Sequence, residues 1–234
     1  MCGILGFKGD STLKNVEIIK DLITEASIRG KHATGVSYVF DNKIKTLKEP
    51  LPAKEFFDKH YEELKRDLLS VGSISLIGHT RYSTSGLDHN QPIDIGGDLS
   101  VVLNGVVTQA DPKYWTELFG IQPTTTNDTE ILHFGIRNGW DVLEKFKTAS
   151  MAVVGLWISG KMFAFRNTRR PAWFCKTNDS LIVSSTKNLF ERAKVTGEIY
   201  QLEPGTFYQF SPVDNTSINL HSTKLTEDLQ NCSL

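Results

Sequence analysis

The sequence predicts a layered α/β or α+β domain, on three observations. Helical segments flank strand-like runs through the earlier part of the chain, and strand-like runs dominate its last third. The 234 residues suit one domain with a sizeable core. The composition is ordinarily globular, 39% hydrophobic and 23% charged, with no repeat or low-complexity block that would call for another architecture.

The elements follow in order. Residues Cys2 to Phe7 are short and apolar, as in a buried strand. From Leu13 to Ile28, Val16, Ile19, Ile23 and Ala26 fall at helical spacing, and Arg29-Gly30 ends the helix. Thr34–Phe40 and Lys43–Lys48 predict a hairpin across Asp41-Asn42. Ala53 to Leu69 predicts a charged helix with Phe56, Phe57, Tyr61, Leu64 and Leu68 on one side. Ile74–Thr80 and Leu99–Val107 read as strands, separated by a loop from Arg81 to Gly97 rich in Ser, Gly, Asp and Pro. Pro112–Phe119 and Thr129–Arg137 are predicted helices, with Asp111 and Asn127 or Asp128 as N-caps. Strands then follow at Ala149–Ile158, Lys161–Arg166, Ala172–Lys176, Leu181–Ser185, Glu198–Leu202 and Thr206–Phe210, with a short helix at Leu189–Val195. The stretch from about 211 to 234 is polar and reads as a loosely held tail of a single domain spanning 1–234.

A net charge of −1 gives no basic surface for nucleic acid or membrane. No run reaches transmembrane length, and the N-terminus lacks the basic and long apolar regions of a signal peptide. The cysteines Cys2, Cys175 and Cys232 are odd in number and widely spaced, so neither a disulfide framework nor a zinc site is expected. The expected location is cytoplasmic. His60, His79, His89 and His133 lack metal-ligand spacing and read as structural or surface residues, and Cys175, beside Trp173 and Phe174, as core.

Cys2 carries the sharpest chemical signal. Once Met1 is removed, a thiol and an α-amine sit on one residue, and that amine titrates at roughly 7.7–8.0 when free. The amine can take the thiol proton, the activation logic of N-terminal nucleophiles. Taken alone, Cys2 is more simply a small apolar residue. Four other segments change that balance. Arg81-Tyr82-Ser83-Thr84-Ser85-Gly86 puts an arginine fork at a strand end before a small-residue loop; in isolation it is a surface arginine before a turn. Asn104-Gly105 signals either a type I′ hairpin turn or an amide and a backbone N–H donating to an oxyanion. Asn127-Asp128-Thr129-Glu130 reads as a helix cap or as a carboxylate for a substrate ammonium. Arg29-Gly30-Lys31-His32-Ala33-Thr34-Gly35 reads as a helix stop leading into a strand.

In this order, and together with Gln91-Pro92, Leu103-Asn104-Gly105, Val183-Ser184-Ser185 and Glu203-Pro204-Gly205, the segments resemble a class II glutamine amidotransferase domain. Such domains are N-terminal nucleophile (Ntn) hydrolases. The resemblance is nearest to the glutaminase domains of amidophosphoribosyltransferase and glucosamine-6-phosphate synthase. It implies a four-layer α/β/β/α sandwich of two stacked, mainly antiparallel sheets. It implies that Cys2 attacks the side-chain amide of L-glutamine and that Asn104 and Gly105 hold the oxyanion. Arg81 would bind the substrate α-carboxylate and Asp128 its α-ammonium, with Thr84, Ser85 and Gly86 in a loop closing over them. A thioester then yields glutamate and ammonia. No cofactor or metal is implied.

The chain departs from the pattern at His32, where such families usually carry an acidic residue, so Lys31-His32 is expected to alter a local salt bridge or the acceptor side of the site. Tyr82 and Ser85 suit the phosphoribosyl branch. No Walker A motif, dinucleotide loop or phosphoribosyl site is visible, and 234 residues leave no room for an ammonia-using domain. The leading expectation is therefore a subunit passing ammonia to a separate synthase or transferase, the oligomeric state being open. The alternatives are a stand-alone γ-glutamyl hydrolase, or a catalytically silent structural or assembly relative if Met1 stays on.

Overall fold

The computed structural model describes residues 2–83, 89–213 and 217–224. Two antiparallel sheets stack face to face. The first is seven-stranded, in the order β11-β9-β10-β1-β4-β2-β3. These strands are β1 (Gly3–Asp10), β2 (Ala33–Phe40), β3 (Lys43–Glu49), β4 (Ser73–Arg81), β9 (Trp173–Lys176), β10 (Ser180–Ser184) and β11 (Glu198–Gln201). The second runs β13-β12-β8-β7-β6-β5. It comprises β5 (Ile93–Asp94), β6 (Leu99–Val106), β7 (Ser150–Trp157), β8 (Met162–Arg166), β12 (Thr206–Val213) and β13 (Ser217–Lys224). Thus part of the stretch read as a tail pairs as β13 with β12.

Three apolar layers hold this stack. Helices α1 (Leu13–Ala26), α2 (Ala53–Leu69) and α6 (Asn188–Arg192) cover the outer face of the first sheet, where Phe7, Ile19, Ile23, Phe56, Leu64 and Phe190 pack. Helices α3 (Trp115–Phe119), α4 (Thr129–Arg137) and α5 (Val142–Lys145) cover the second, where Leu99, Val101 and Leu103 of β6 pack with Trp115, Leu132 and Phe163. Between the sheets lie Ile4, Ile77, Val102, Val154, Met162 and Phe210. The four-layer α/β/β/α arrangement expected from the resemblance is present.

Local chemistry explains the boundaries. Asp41 and Asn42 both take positive φ, 51° and 54°, as a two-residue hairpin turn requires. Thr12 caps α1 by accepting from the Asn15 N–H at 3.2 Å. The sheets are also tied by polar bridges. Ser100 Oγ donates to Ser37 Oγ at 2.8 Å, and Lys8 Nζ donates to Ser75 Oγ at 2.7 Å and to the Gly160 carbonyl at 2.8 Å.

Candidate active site

β1 occupies the middle of its sheet, so Cys2, just before it, stands at the end of the sandwich between β4 and β10. Gly3 pairs with Thr80 and Ile4 with His79 on β4, while the Ser185 N–H donates to the Ile4 carbonyl at 3.3 Å on the β10 side. A side chain at Gly3 would lie 2.5 Å from Thr80 Oγ1 and 2.9 Å from Ala26 Cβ, which accounts for the glycine after the cysteine. Arg29 Nε donates to the Cys2 carbonyl at 3.1 Å. Gly30 lets this corner press against β4, since a Cβ there would stand 2.4 Å from the Arg81 carbonyl carbon. The Cys2 thiol is half-buried and lies 4.0 Å from the Tyr82 carbonyl.

Arg81 ends β4, next to Cys2. Its Nη1 donates to the His89 carbonyl at 2.9 Å and to Asn90 Oδ1 at 2.7 Å. Asn127 Nδ2 reaches the same His89 carbonyl at 2.9 Å, which brings the start of α4 to Arg81. Asp128 does not cap α4; Asn127 does, its Oδ1 accepting from the Thr129 N–H at 3.1 Å. The Asp128 carboxylate turns back and accepts from the Val107 N–H at 2.6 Å and the Thr108 N–H at 3.3 Å. Burial raises its pKa above the usual carboxylate value, opposed by those N–H groups and by the Arg81 charge.

Asn104 and Gly105 form no turn. Both lie within β6, paired with Ala152 and Met151 of β7. A Cβ on Gly105 would stand 1.8 Å from the Ser150 carbonyl oxygen, so glycine is required by this close approach. Asn104 is 1% exposed, and its Nδ2 has no hydrogen-bond partner among the described residues. An amide donor left unpaired at such depth costs about 1–3 kcal/mol unless something occupies it. Two more buried atoms beside Ile4 share this condition, His79 Nε2 and Ser185 Oγ.

Cys2, Arg81, Asn104, Gly105 and Asp128 thus gather at one end of the sandwich. Thr84, Ser85 and Gly86 lie outside the described residues. His32 makes a contact the sequence did not foretell: its Nδ1 accepts the Ser83 N–H at 2.9 Å, and its ring lies 5.0 Å from that of Tyr82. Cys175 is fully buried in the outer core. His60 meets Glu49 at 3.2 Å, and His133 meets the Leu99 carbonyl at 3.0 Å, as structural residues do. Among the described residues no His, Cys, Asp and Glu cluster could hold a metal ion, and no helix is long and apolar enough to cross a membrane.

The four-layer sandwich agrees with the resemblance drawn from the sequence, and the chain is similar to glutamine–fructose-6-phosphate aminotransferases and amidophosphoribosyltransferases. Particular relatives agree. A glutamine–fructose-6-phosphate aminotransferase of Cyanidium caldarium is 28% identical over 137 residues, 56% of this chain and 21% of that protein. An amidophosphoribosyltransferase of Pyrococcus horikoshii is 28% identical over 181 residues, covering 71% of this chain and 38% of its own length. A Helicobacter pylori glutamine–fructose-6-phosphate aminotransferase is 25% identical over 239 residues, covering 99% of this chain and 38% of its own length. The chain therefore spans between about a fifth and two fifths of these relatives. Among solved structures, the glutamine phosphoribosylpyrophosphate amidotransferase of B. subtilis matches with a TM-score of 0.70 at 21% identity. That match covers 95% of this chain and 49% of the other and speaks for the fold alone. No family model matches the chain.

Proposed function

We propose that this chain is the glutaminase unit of an amidotransferase, hydrolysing L-glutamine to glutamate and ammonia and passing the ammonia to a separate acceptor synthase or transferase in the cytoplasm. The observation that carries the reading is the buried Asn104 amide on β6, unpartnered among the described residues, in a sandwich whose β1 begins just after Cys2. A strand end gives Cys2 a fixed position and an approach from outside, and the Asn104 Nδ2 is a donor with its hydrogen bond still to make.

In the mechanism, the α-amine of Cys2, freed by removal of Met1, takes the thiol proton. The sulfur attacks the δ-carbon of glutamine, and the carbonyl oxygen becomes an oxyanion held by Asn104 Nδ2 and the Gly105 N–H. The ammonium of Cys2 returns its proton to the leaving nitrogen, ammonia departs and a γ-glutamyl thioester remains. Water, deprotonated by the same amine, attacks the thioester and releases glutamate and the thiol. Arg81 pairs with the α-carboxylate of the substrate and Asp128 with its α-ammonium. This places opposite charges at the amino-acid end and leaves the amide end for chemistry. Thr84, Ser85 and Gly86 belong to the covering loop in this reading. The acceptor is proposed because the relatives named above are longer proteins whose names denote transfer of the amino group.

Glutamate release by the purified chain tests the reading, with Arg81→Lys and Asp128→Asn measured beside the wild type. Both variants are expected to raise the KM for glutamine by about tenfold or more with a smaller change in kcat. An unchanged KM in both would refute the assigned anchors.

A further inference from the structure

Strand β6 loses its neighbour just where the site begins. β5 pairs with it only at Ile93↔Val101 and Asp94↔Ser100. Along a strand the N–H and C=O of one residue point to the same edge, and alternate residues share that edge. The Leu103 N–H donates to Gln91 Oε1 at 2.6 Å, so the edge carrying Val101, Leu103 and Gly105 is the one away from β7. Reading up this edge, Val101 meets β5, Leu103 meets the Gln91 side chain, Gly105 comes next, and the Val107 N–H meets Asp128 Oδ2 at 2.6 Å.

The other half of the Leu103 peptide pair is held by His79. The buried imidazole interacts with the backbone of Leu103, and its Nε2 has no partner among the described residues. Burial, reinforced by the nearby Arg81 charge, pushes this histidine down to about 3, so it is neutral at physiological pH and donates a single N–H. Gln91 and His79 are 6% and 2% exposed. The backbone of Gln91 is itself braced: Lys48 Nζ donates to the carbonyls of Asn90 and Pro92 at 3.1 and 3.0 Å, and a Cβ at Gly35 would stand 2.4 Å from the Gln91 carbonyl oxygen.

We propose that Gln91 and His79 are positioning residues that replace the missing strand at Leu103 and thereby aim the Asn104 amide and the Gly105 N–H at the oxyanion, an inference that rests on the glutaminase reading above. A continuing β5 strand would pair with Leu103 and then with Gly105, consuming the donor. Two side chains satisfy Leu103 and stop there. Accurate placement of oxyanion donors governs transition-state stabilisation rather than ground-state affinity.

Three measurements on the full chain test this. In Gln91→Met, which keeps the length of the side chain and removes its acceptor, kcat should fall by about 10–100-fold with little change in glutamine KM. L-glutamate γ-semialdehyde, whose adduct with the thiol carries a tetrahedral oxyanion, should bind about 10–100-fold more weakly, while the Kd for L-glutamate shifts less than about threefold. Gln91→Glu, which restores an acceptor, should recover most of the loss. Equal weakening of aldehyde and glutamate, or weakening of neither, would overturn the proposal. Amide exchange at Leu103 gives a readout free of catalysis: it should accelerate at least about tenfold in Gln91→Met, and unchanged exchange would also overturn it. His79→Leu serves the same comparison should Gln91→Met fail to fold. If the wild type neither turns over glutamine nor binds the aldehyde, the glutaminase reading fails, and Leu103 exchange still judges the clamp.

Discussion

The two ends of strand β1 treat buried polarity in opposite ways. Cys2, Ile4, Gly6 and Lys8 share one face by alternation, and that face looks toward the second sheet. At the far end Lys8 is 4% exposed, yet its ammonium is tied to Ser75 and Gly160, and the Ser75 hydroxyl also donates to Gly160 at 3.2 Å. In the middle, Gly6 lets the sheets close: a Cβ there would lie 2.8 Å from both Met162 Sδ and Val154 Cγ1. At the near end, His79 Nε2 and Ser185 Oγ are buried beside Ile4, and Asn104 Nδ2 is buried on β6, all unmatched among the described residues. One strand thus runs from a satisfied inter-sheet tie to an unsatisfied polar cluster. The first end serves cohesion; the second leaves buried hydrogen-bonding groups that the described fold does not satisfy.

Mutations at the two ends should separate those roles. The largest effect belongs to Cys2→Ala, which should abolish glutamate release while leaving urea unfolding within about 0.5 kcal/mol of wild type. Residual turnover comparable to wild type would rule out the thiol mechanism. Asn104→Ala should cost about 10²–10³ in kcat, by analogy with loss of a single oxyanion donor, and should cost little stability because the Nδ2 it removes has no partner among the described residues. A large loss of stability without loss of kcat would reverse the contrast between the ends. Gly6→Ala should destabilise by roughly 1–3 kcal/mol through overpacking between the sheets, with KM for glutamine unchanged in the folded fraction. Equal stability would mean that the sheets have slack there.

The smallest expected effect is a pH dependence at Lys8. Burial pushes this lysine down to about 8, against roughly 10.4 in an unfolded chain. Between those values the unfolded state binds more protons than the folded one, so stability rises with pH across that window and is level below it with respect to this group. In Lys8→Met the rise should shrink by about 1–2 kcal/mol, read as the difference between urea unfolding at the two ends of the window. An identical pH profile in wild type and variant would remove Lys8 from the account.

Much of the fold was legible because local signals and tertiary demands agree. The Asp41-Asn42 turn, the amphipathic α2 and the start of α4 at Thr129 are cases of such agreement. The failures are places where tertiary pairing overrides a local signal. Asn104-Gly105 carries a strong hairpin signature, but eight register pairs with β7 draw it into mid-strand. β5 spans two residues, Ile93 and Asp94, too few for periodicity to register inside a loop-like stretch. β13 is polar throughout much of its length, and the alternation of Ile218 and Leu220 is too short to read as a strand by itself.

The site divides along the same line. Residues whose chemistry is unusual for their position, such as Cys2 at the start of the chain, are visible in one dimension. His79 and Gln91 act through Leu103 from distant segments, and only the fold brings them there. The Asp128 carboxylate, an ordinary cap by sequence, has its partners about 20 residues upstream.

The central claim is that Cys2 is a free N-terminal nucleophile in a glutamine site. Intact mass measured before and after exposure to an electrophilic glutamine analogue tests it most directly. The expected outcome is a starting mass lacking Met1, gain of one equivalent of label, mapping of that label to Cys2 and protection by L-glutamine. A chain that retains Met1, or one that takes up label equally well as Cys2→Ala, would contradict it.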